Sequence, residues 1–322
     1  MKNKFVTIAA IQSSVSSDLK ANLAKTVKSV EQAAQKGAQI ICLQELYRTS
    51  YFPQYPKLPK DDFSETIPGE STRVFSVIAK KYKVVIIVPI FEKDPPDREA
   101  SAVRAGKQGK YYNSAVVINV DGKLMSTYRK IHIPQDPGFY EKDYFEKGDN
   151  GYKIYKTTYA TFAVLICYDQ WFPEAARAVR LAGAEIIFYP TAIANVVGYL
   201  PPEGSWHDAW ETMIRSHAIA NSVPVIAVNR IGKEGRTQFW GQSFITDAFG
   251  KVLKRAGKNK EEILLVKLDL GMNKFITDGW GFLRNRRPDT YSSLVGNKFV
   301  EKSKKLKNVE HYKNIQKALG EK

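Results

Sequence analysis

At 322 residues the chain is long for one average domain but within the range of a single large α/β unit. Its 43% hydrophobic and 12% aromatic content suits a globular protein, and no run approaches the roughly 20 apolar residues that span a bilayer, so no membrane partner is expected. A net charge of +16 would favour polyanions, yet eight of the lysines fall in residues 298–322 beside three glutamates, with no aromatic-basic recognition motif. That charge reads as a solvated face and tail, and nucleic acid is not expected as a partner.

The first residues pass from lysines into a short apolar stretch broken by Gln12, too short and too poorly flanked for a signal peptide. Cys42 and Cys167 are the only cysteines and provide no disulfide framework, so a cytoplasmic chain is expected. His132, His207, His217 and His311 show no zinc-site spacing, and neither a metal nor another cofactor is expected.

Apolar, β-rich runs recur in chain order at Phe5 to Ile11, Ile40 to Leu43, Val84 to Phe91, Ala115 to Val120, Phe162 to Ile166, Ile186 to Tyr189, Val225 to Val228 and Ile263 to Leu268. Helical patterns alternate with several of them. Asp18 to Lys36 carries Leu19, Leu23, Val27, Val30 and Ala34 at helical recurrence, with Gly37 as its stop. Ser71 to Lys83, Pro173 to Ala182 and Trp206 to Ala220 behave alike, and Pro173 suits a first helical turn. Strands apolar throughout must be covered on both faces, which predicts a layered α/β architecture. Asp121-Gly122 between Tyr111 to Val120 and Lys123 to Arg129 predicts a hairpin with a type I′ turn, and hence a mixed sheet. Asp94 to Lys110 reads as an exposed loop. We expect one domain over residues 1–297 and a basic C-terminal extension over residues 298–322.

Three segments place a reactive side chain directly behind a buried strand, where functional groups collect at a sheet edge. They are IICLQEL with Glu45, STYRKIHIP with Lys130, and TFAVLICYDQWFPE with Cys167. Taken singly, each is as well explained by an exposed carboxylate, a surface lysine or a buried structural thiol. Cys42, inside an apolar strand, reads as core.

Taken together and in order, these segments resemble the nitrilase superfamily. The resemblance rests on QEL at Gln44 to Leu46, YRKIHIP at Tyr128 to Pro134, EKDYFEKGD at Glu141 to Asp149 and ICYDQWFPE at Ile166 to Glu174. It extends through GAEIIFYPTAI at Gly183 to Ile193, NRIG at Asn229 to Gly232 and GQSFITDAFG at Gly241 to Gly250. It implies a four-layer αββα sandwich with two mixed β-sheets, subunits that pair into a homo-oligomer, and a cysteine hydrolase of carbon–nitrogen bonds. Carried over by position, Cys167 is the nucleophile, Glu45 the general base, Lys130 the stabiliser of the oxyanion, and Glu141 the residue that orients substrate and lysine; the backbone N–H of Tyr168, next to the nucleophile, is a candidate second oxyanion donor. These residue types meet the needs of the chemistry. A free thiol, with a pKa near 8.5, supplies little thiolate at neutral pH, so a carboxylate to take its proton and an ammonium to favour negative charge are both required.

Relatives that act on ureido or N-carbamoyl acids carry an arginine shortly after the nucleophile to clamp the substrate carboxylate. Here those positions are Asp169, Gln170 and Trp171. The resemblance therefore implies the branch that hydrolyses N-carbamoylputrescine, with a small-molecule substrate ending in an amine. Another linear amide or ureide, such as ureidopropionate or an ω-amide, is the alternative within the superfamily, and a noncatalytic scaffold the alternative outside it. A distal ammonium would need acids or aromatic faces, for which Tyr47, Asp169, Trp171, Glu174, Glu203 and Asp208 are candidates. Glu174 also suits the first turn of its helix, where an acid offsets the helix dipole.

Overall fold

The computed structural model describes residues 5–94, 109–295 and 309–321. Strand β1 (Phe5–Gln12) shows how the apolar runs generate layers. Its Val6, Ile8 and Ala10 enter one buried cluster while Ala9 and Ile11 enter another on the opposite face. Parallel to β1 run β2 (Ile40–Leu43) and then β3 (Val85–Asp94). The antiparallel strands β4 (Lys110–Ile118) and β5 (Tyr128–Arg129) extend one edge, and β15 (Glu262–Asp269) pairs antiparallel with β1 at the other.

The outer face of this mixed sheet is covered by α1 (Leu19–Gln35) and α2 (Glu70–Tyr82), through Leu23, Val30, Ala33, Phe75 and Ile78. Asp18 starts α1 as predicted: its Oδ1 accepts the Lys20 and Ala21 N–H groups at 2.9 and 3.0 Å. The inner face meets a second six-stranded sheet of mixed direction. Its order is β14 (Val252–Arg255), β13 (Phe244–Thr246), β10 (Val225–Val228), β8 (Ile186–Pro190), β7 (Thr161–Val164) and β6 (Ile154–Lys156). Helices α3 (Pro173–Leu181) and α4 (Trp206–Asn221) cover that sheet with Ala176, Val179, Trp210 and Ile214. The four layers are thus helix, sheet, sheet and helix, as expected. A small sheet of β9 (Ala194–Val196), β12 (Thr237–Trp240) and β11 (Ile231–Glu234) sits beside them, and α5 (Gly271–Trp280) follows β15.

Two expectations are corrected in detail. The turn after β4 is not type I′, which needs a positive φ at both Asp121 and Gly122. Among these two only Gly122 has it (φ +81°), and its N–H closes onto the Asn119 carbonyl at 2.8 Å. Strands β3 and β4 also run further than their apolar cores suggested, to Asp94 and from Lys110; residues 95–108 of the predicted loop lie outside the described residues.

Of the predicted basic extension, residues 298–308 and 322 lie outside the described residues. The remainder forms α6 (Glu310–Ala318), which packs on the body and is not a solvated tail. Ile315 is buried against Val196 and Tyr199, and Arg236 pairs with Glu321 at 2.5 Å.

Candidate active site

The chain leaving β2 turns sharply, with Leu46 at φ +49°. The fully buried Arg230 holds that turn from behind, donating to the carbonyls of Glu45, Leu46 and Thr49 at 2.7, 2.8 and 3.1 Å, while its charge is met by Glu234 at 3.0 Å. The turn delivers Glu45 into the interior. Its Oε1 accepts Lys130 Nζ at 2.9 Å and Asn113 Nδ2 at 2.8 Å; its Oε2 is buried with no hydrogen-bond partner among the described residues.

Lys130 leaves the short strand β5, and its backbone is pinned on both sides. Its N–H donates to Asn113, and its carbonyl accepts the Gly148 N–H at 2.8 Å. Glycine is required at 148 because a Cβ there would lie 2.1 Å from the Arg129 carbonyl oxygen. Lys130 Nζ also donates to Glu141 Oε2 at 2.6 Å, and Glu141 Oε1 accepts the Tyr51 hydroxyl at 3.0 Å. Glu45, Lys130 and Glu141 are all at most 1% exposed, so one ammonium is sealed between two carboxylates.

Burial alone would discharge Lys130, but Glu141 and Glu45 outweigh it and hold the ammonium charged, with its pKa raised. Burial, opposed by Lys130 and helped by Glu45, pushes Glu141 up to about 7.

Cys167 follows the apolar end of β7 and heads a 3₁₀ turn, Cys167–Trp171, with φ at +42°. That left-handed conformation is costly for a residue with a Cβ, about 1–3 kcal/mol, and is characteristic of functional sites. Asp169 supports it from below. Its Oδ2 accepts the Ile166 N–H at 2.8 Å and the Tyr128 hydroxyl at 2.7 Å, and its Oδ1 binds the His132 N–H and Nδ1 at 3.1 and 2.7 Å. Burial, with the Glu45 charge, raises the Cys167 thiol well above its ordinary pKa despite Lys130. A thiol favoured in its protonated form in this way calls for a base to take its proton.

Cys167 opens into a cavity of ≈ 210 Å³. Tyr51 and Glu141 lie beside it, and Tyr168, Trp171, Ala194 and Trp206 form walls. Asp136 and Phe139 come from the loop after Lys130, and His311 and Ile315 from α6. Among the described residues, the lining holds the acids Asp136 and Glu141 and neither lysine nor arginine. No three His, Cys, Asp or Glu side chains among the described residues converge to hold a metal ion.

The structure brings Glu45, Lys130 and Glu141 into direct contact, and Cys167 shares a cavity with Glu141. The candidates for the substrate tail are scattered. Trp171 lines the cavity. Glu203 lies behind its rim, accepting the Trp206 indole N–H at 2.6 Å and lying 3.9 Å from His311. Tyr47 is instead in the core between sheet and helices, bonded to Ser71, because its ring packs edge-on against Phe75. Asp169 is committed to four donors beneath the nucleophile turn. Glu174 sits in the first turn of α3 on a separate hollow shared with Arg177 and Arg286, and Asp208 is exposed beside His207. Cys42 is core, its thiol raised by burial.

Tyr51, Asn113, Arg230 and Asp136 escaped the sequence reading. Asn113 left one trace, an amide beside Ser114 between the aromatic pair Tyr111 and Tyr112 and the apolar run Ala115 to Ile118. Arg230 lies in the NRIG segment of the resemblance, but its buried supporting role was not legible, since an arginine is ordinarily exposed.

Residues 7–275 match the model of the carbon-nitrogen hydrolase family. The chain is similar to an N-carbamoylputrescine amidase of Solanum lycopersicum, 41% identical over 91% of this chain and 96% of that one. It is also similar to a citrullinase of Francisella tularensis, 37% identical over 90% and 98%. A crystal structure of a carbon-nitrogen hydrolase from Helicobacter pylori G27 superposes with a TM-score of 0.82 at 38% identity, covering 91% of this chain and 99% of that one.

Proposed function

Because the chain belongs to the carbon-nitrogen hydrolase family, we propose that it hydrolyses N-carbamoylputrescine to putrescine, ammonia and carbon dioxide through a thioester on Cys167. The observation that carries this reading is the pairing of Glu45, Lys130 and Glu141 behind a cavity whose own lining is acidic and apolar.

The Cys167 thiol gives its proton to Glu45 Oε2, the oxygen without a partner among the described residues, as sulfur attacks the carbamoyl carbon. The carbonyl oxygen becomes an oxyanion, met by the Lys130 ammonium and by the N–H of Tyr168. That N–H lies at the start of a 3₁₀ turn, where backbone donors have no partner within the helix. Each good donor of this kind contributes about 3–4 kcal/mol to the transition state. Collapse expels ammonia with the proton returned by Glu45, leaving an S-carbamoyl thioester. Water activated by the same carboxylate displaces Cys167 and yields the N-carboxy amine, which loses carbon dioxide. Glu141 fixes Lys130 and faces the substrate.

His132 is not the base in this scheme, since it is not among the residues lining the cavity and its ring lies stacked on Phe172 at 3.7 Å. The test is ammonia release from N-carbamoylputrescine, citrulline, ureidopropionate and glutaramate, with Cys167→Ala as control. N-carbamoylputrescine is expected to be turned over fastest, and only with Cys167 intact. Preference for ureidopropionate or citrulline would overturn the substrate, because each brings a carboxylate to an acidic cavity.

The same reading includes a homo-oligomer in which a second copy covers Leu181, Phe275 and Trp280, side chains left 50%, 72% and 60% exposed on or beside α3 and α5. Sedimentation analysis tests this; a monomer at micromolar concentration would refute it. A cytoplasmic location fits the two free thiols.

A further inference from the structure

Within the cavity, the two acids differ in their surroundings. Glu141 is neutralised by Lys130, whereas Asp136 forms no ion pair among the described residues. A half-buried carboxylate beside apolar and aromatic walls, without a cation, is poised to receive one from a ligand. Its position is built. The Asp136–Phe139 turn closes on itself, with the Phe139 N–H donating to the Asp136 carbonyl at 2.7 Å and the Asp136 N–H returning to Phe139 at 3.3 Å. Tyr312 on α6 donates its hydroxyl to Asp136 Oδ1. A carboxylate offers about four acceptor sites, so that one bond leaves capacity for a ligand ammonium.

Helix α6 is itself held where it can do this. Ile315 is buried, the His311 Nδ1 and the Tyr199 hydroxyl lie 3.3 Å apart, and Glu321 just beyond the helix binds Arg236 and Tyr140. We propose that Asp136 is the specificity-determining residue that binds the terminal ammonium of an amine-tailed carbamoyl substrate, and that α6, through Tyr312, positions it. This rests on the carbamoyl-amine reading above and names the group that selects the tail.

The experiment compares kcat/KM for N-carbamoylputrescine with kcat/KM for N-butylurea, which has a methyl group in place of the terminal aminomethyl group and so lacks the charge. In Asp136→Asn the ratio of the two is expected to fall about 10- to 100-fold, mostly through KM for the charged substrate, as loss of one charge-assisted contact implies. Tyr312→Phe moves the ratio in the same direction by less. An unchanged ratio in Asp136→Asn, with both substrates slowed alike, overturns the assignment and leaves Asp136 a structural turn residue. If that variant unfolds by circular dichroism, Asp136→Ser gives the same ratio test. Absence of any wild-type preference for N-carbamoylputrescine over N-butylurea would instead overturn the parent reading, so the two failures are distinguishable.

Discussion

Lys130 Nζ binds only one oxygen of Glu45, Oε1 at 2.9 Å, and leaves the buried Oε2 without a partner among the described residues. A buried acceptor without a protein partner is free to take a proton, which makes Oε2 the oxygen to test as the base. Glu45→Gln keeps the shape and removes the proposed base. Single-turnover ammonia release is expected to fall about 10²- to 10⁴-fold with the fold intact by circular dichroism. A rate within threefold of wild type would assign the proton transfer elsewhere.

Glu141 makes stability depend on pH with a definite sign. Burial raises its pKa from 4.5 to about 7 in the folded protein, so between those values the native state binds more protons than the unfolded chain. Its contribution to stability is complete below about 4.5 and is lost as pH rises through about 7. Glu141→Gln is expected to flatten the fall in Tm over that window. An identical pH profile in the variant would show that the carboxyl does not titrate there.

Gly148 tests how closely Lys130 depends on its neighbouring loop. An added Cβ would sit 2.1 Å from the Arg129 oxygen and 2.9 Å from that of Lys130, both backbone atoms that cannot move without shifting the lysine. Gly148→Ala is expected to cost about 1–3 kcal/mol in chemical denaturation, the usual range for overpacking, and to lower kcat more than it raises KM. Wild-type activity in this variant would mean that the ammonium tolerates displacement.

The strands that frame this site were legible in the sequence because strand periodicity is set by local residue order. Ile40 to Leu43 predicted β2 to the residue, whereas Glu45 behind it stood out only through the resemblance carried by the QEL, YRKIHIP and ICYDQWFPE segments. What supports it was harder to read, because Arg230 and Asn113 reach Glu45 from far along the chain. Helix α6 was hidden differently. The eight lysines of residues 298–322 dominated the composition around it, while Tyr312, Ile315 and Leu319 carried an i, i+3, i+7 recurrence within one short segment. Asp136 sits in a proline-rich loop with no period at all, so only the tertiary structure places it in the cavity.

Asp169 separates a positioning role from the substrate-binding role its sequence position suggested. Four donors converge on its carboxylate, from Ile166, Tyr128 and His132, and hydrogen bonds to a charged acceptor are worth about 1.5–3 kcal/mol each. An amide keeps one acceptor oxygen and turns its NH₂ toward groups that are themselves donors. Asp169→Asn is therefore expected to lower Tm by several degrees and to reduce kcat for N-carbamoylputrescine and N-butylurea by the same factor, because the turn carrying Cys167 loosens for both. Their kcat/KM ratio should stay at the wild-type value, the opposite of the outcome expected for Asp136→Asn. A selective loss of the charged substrate would return the ammonium to Asp169.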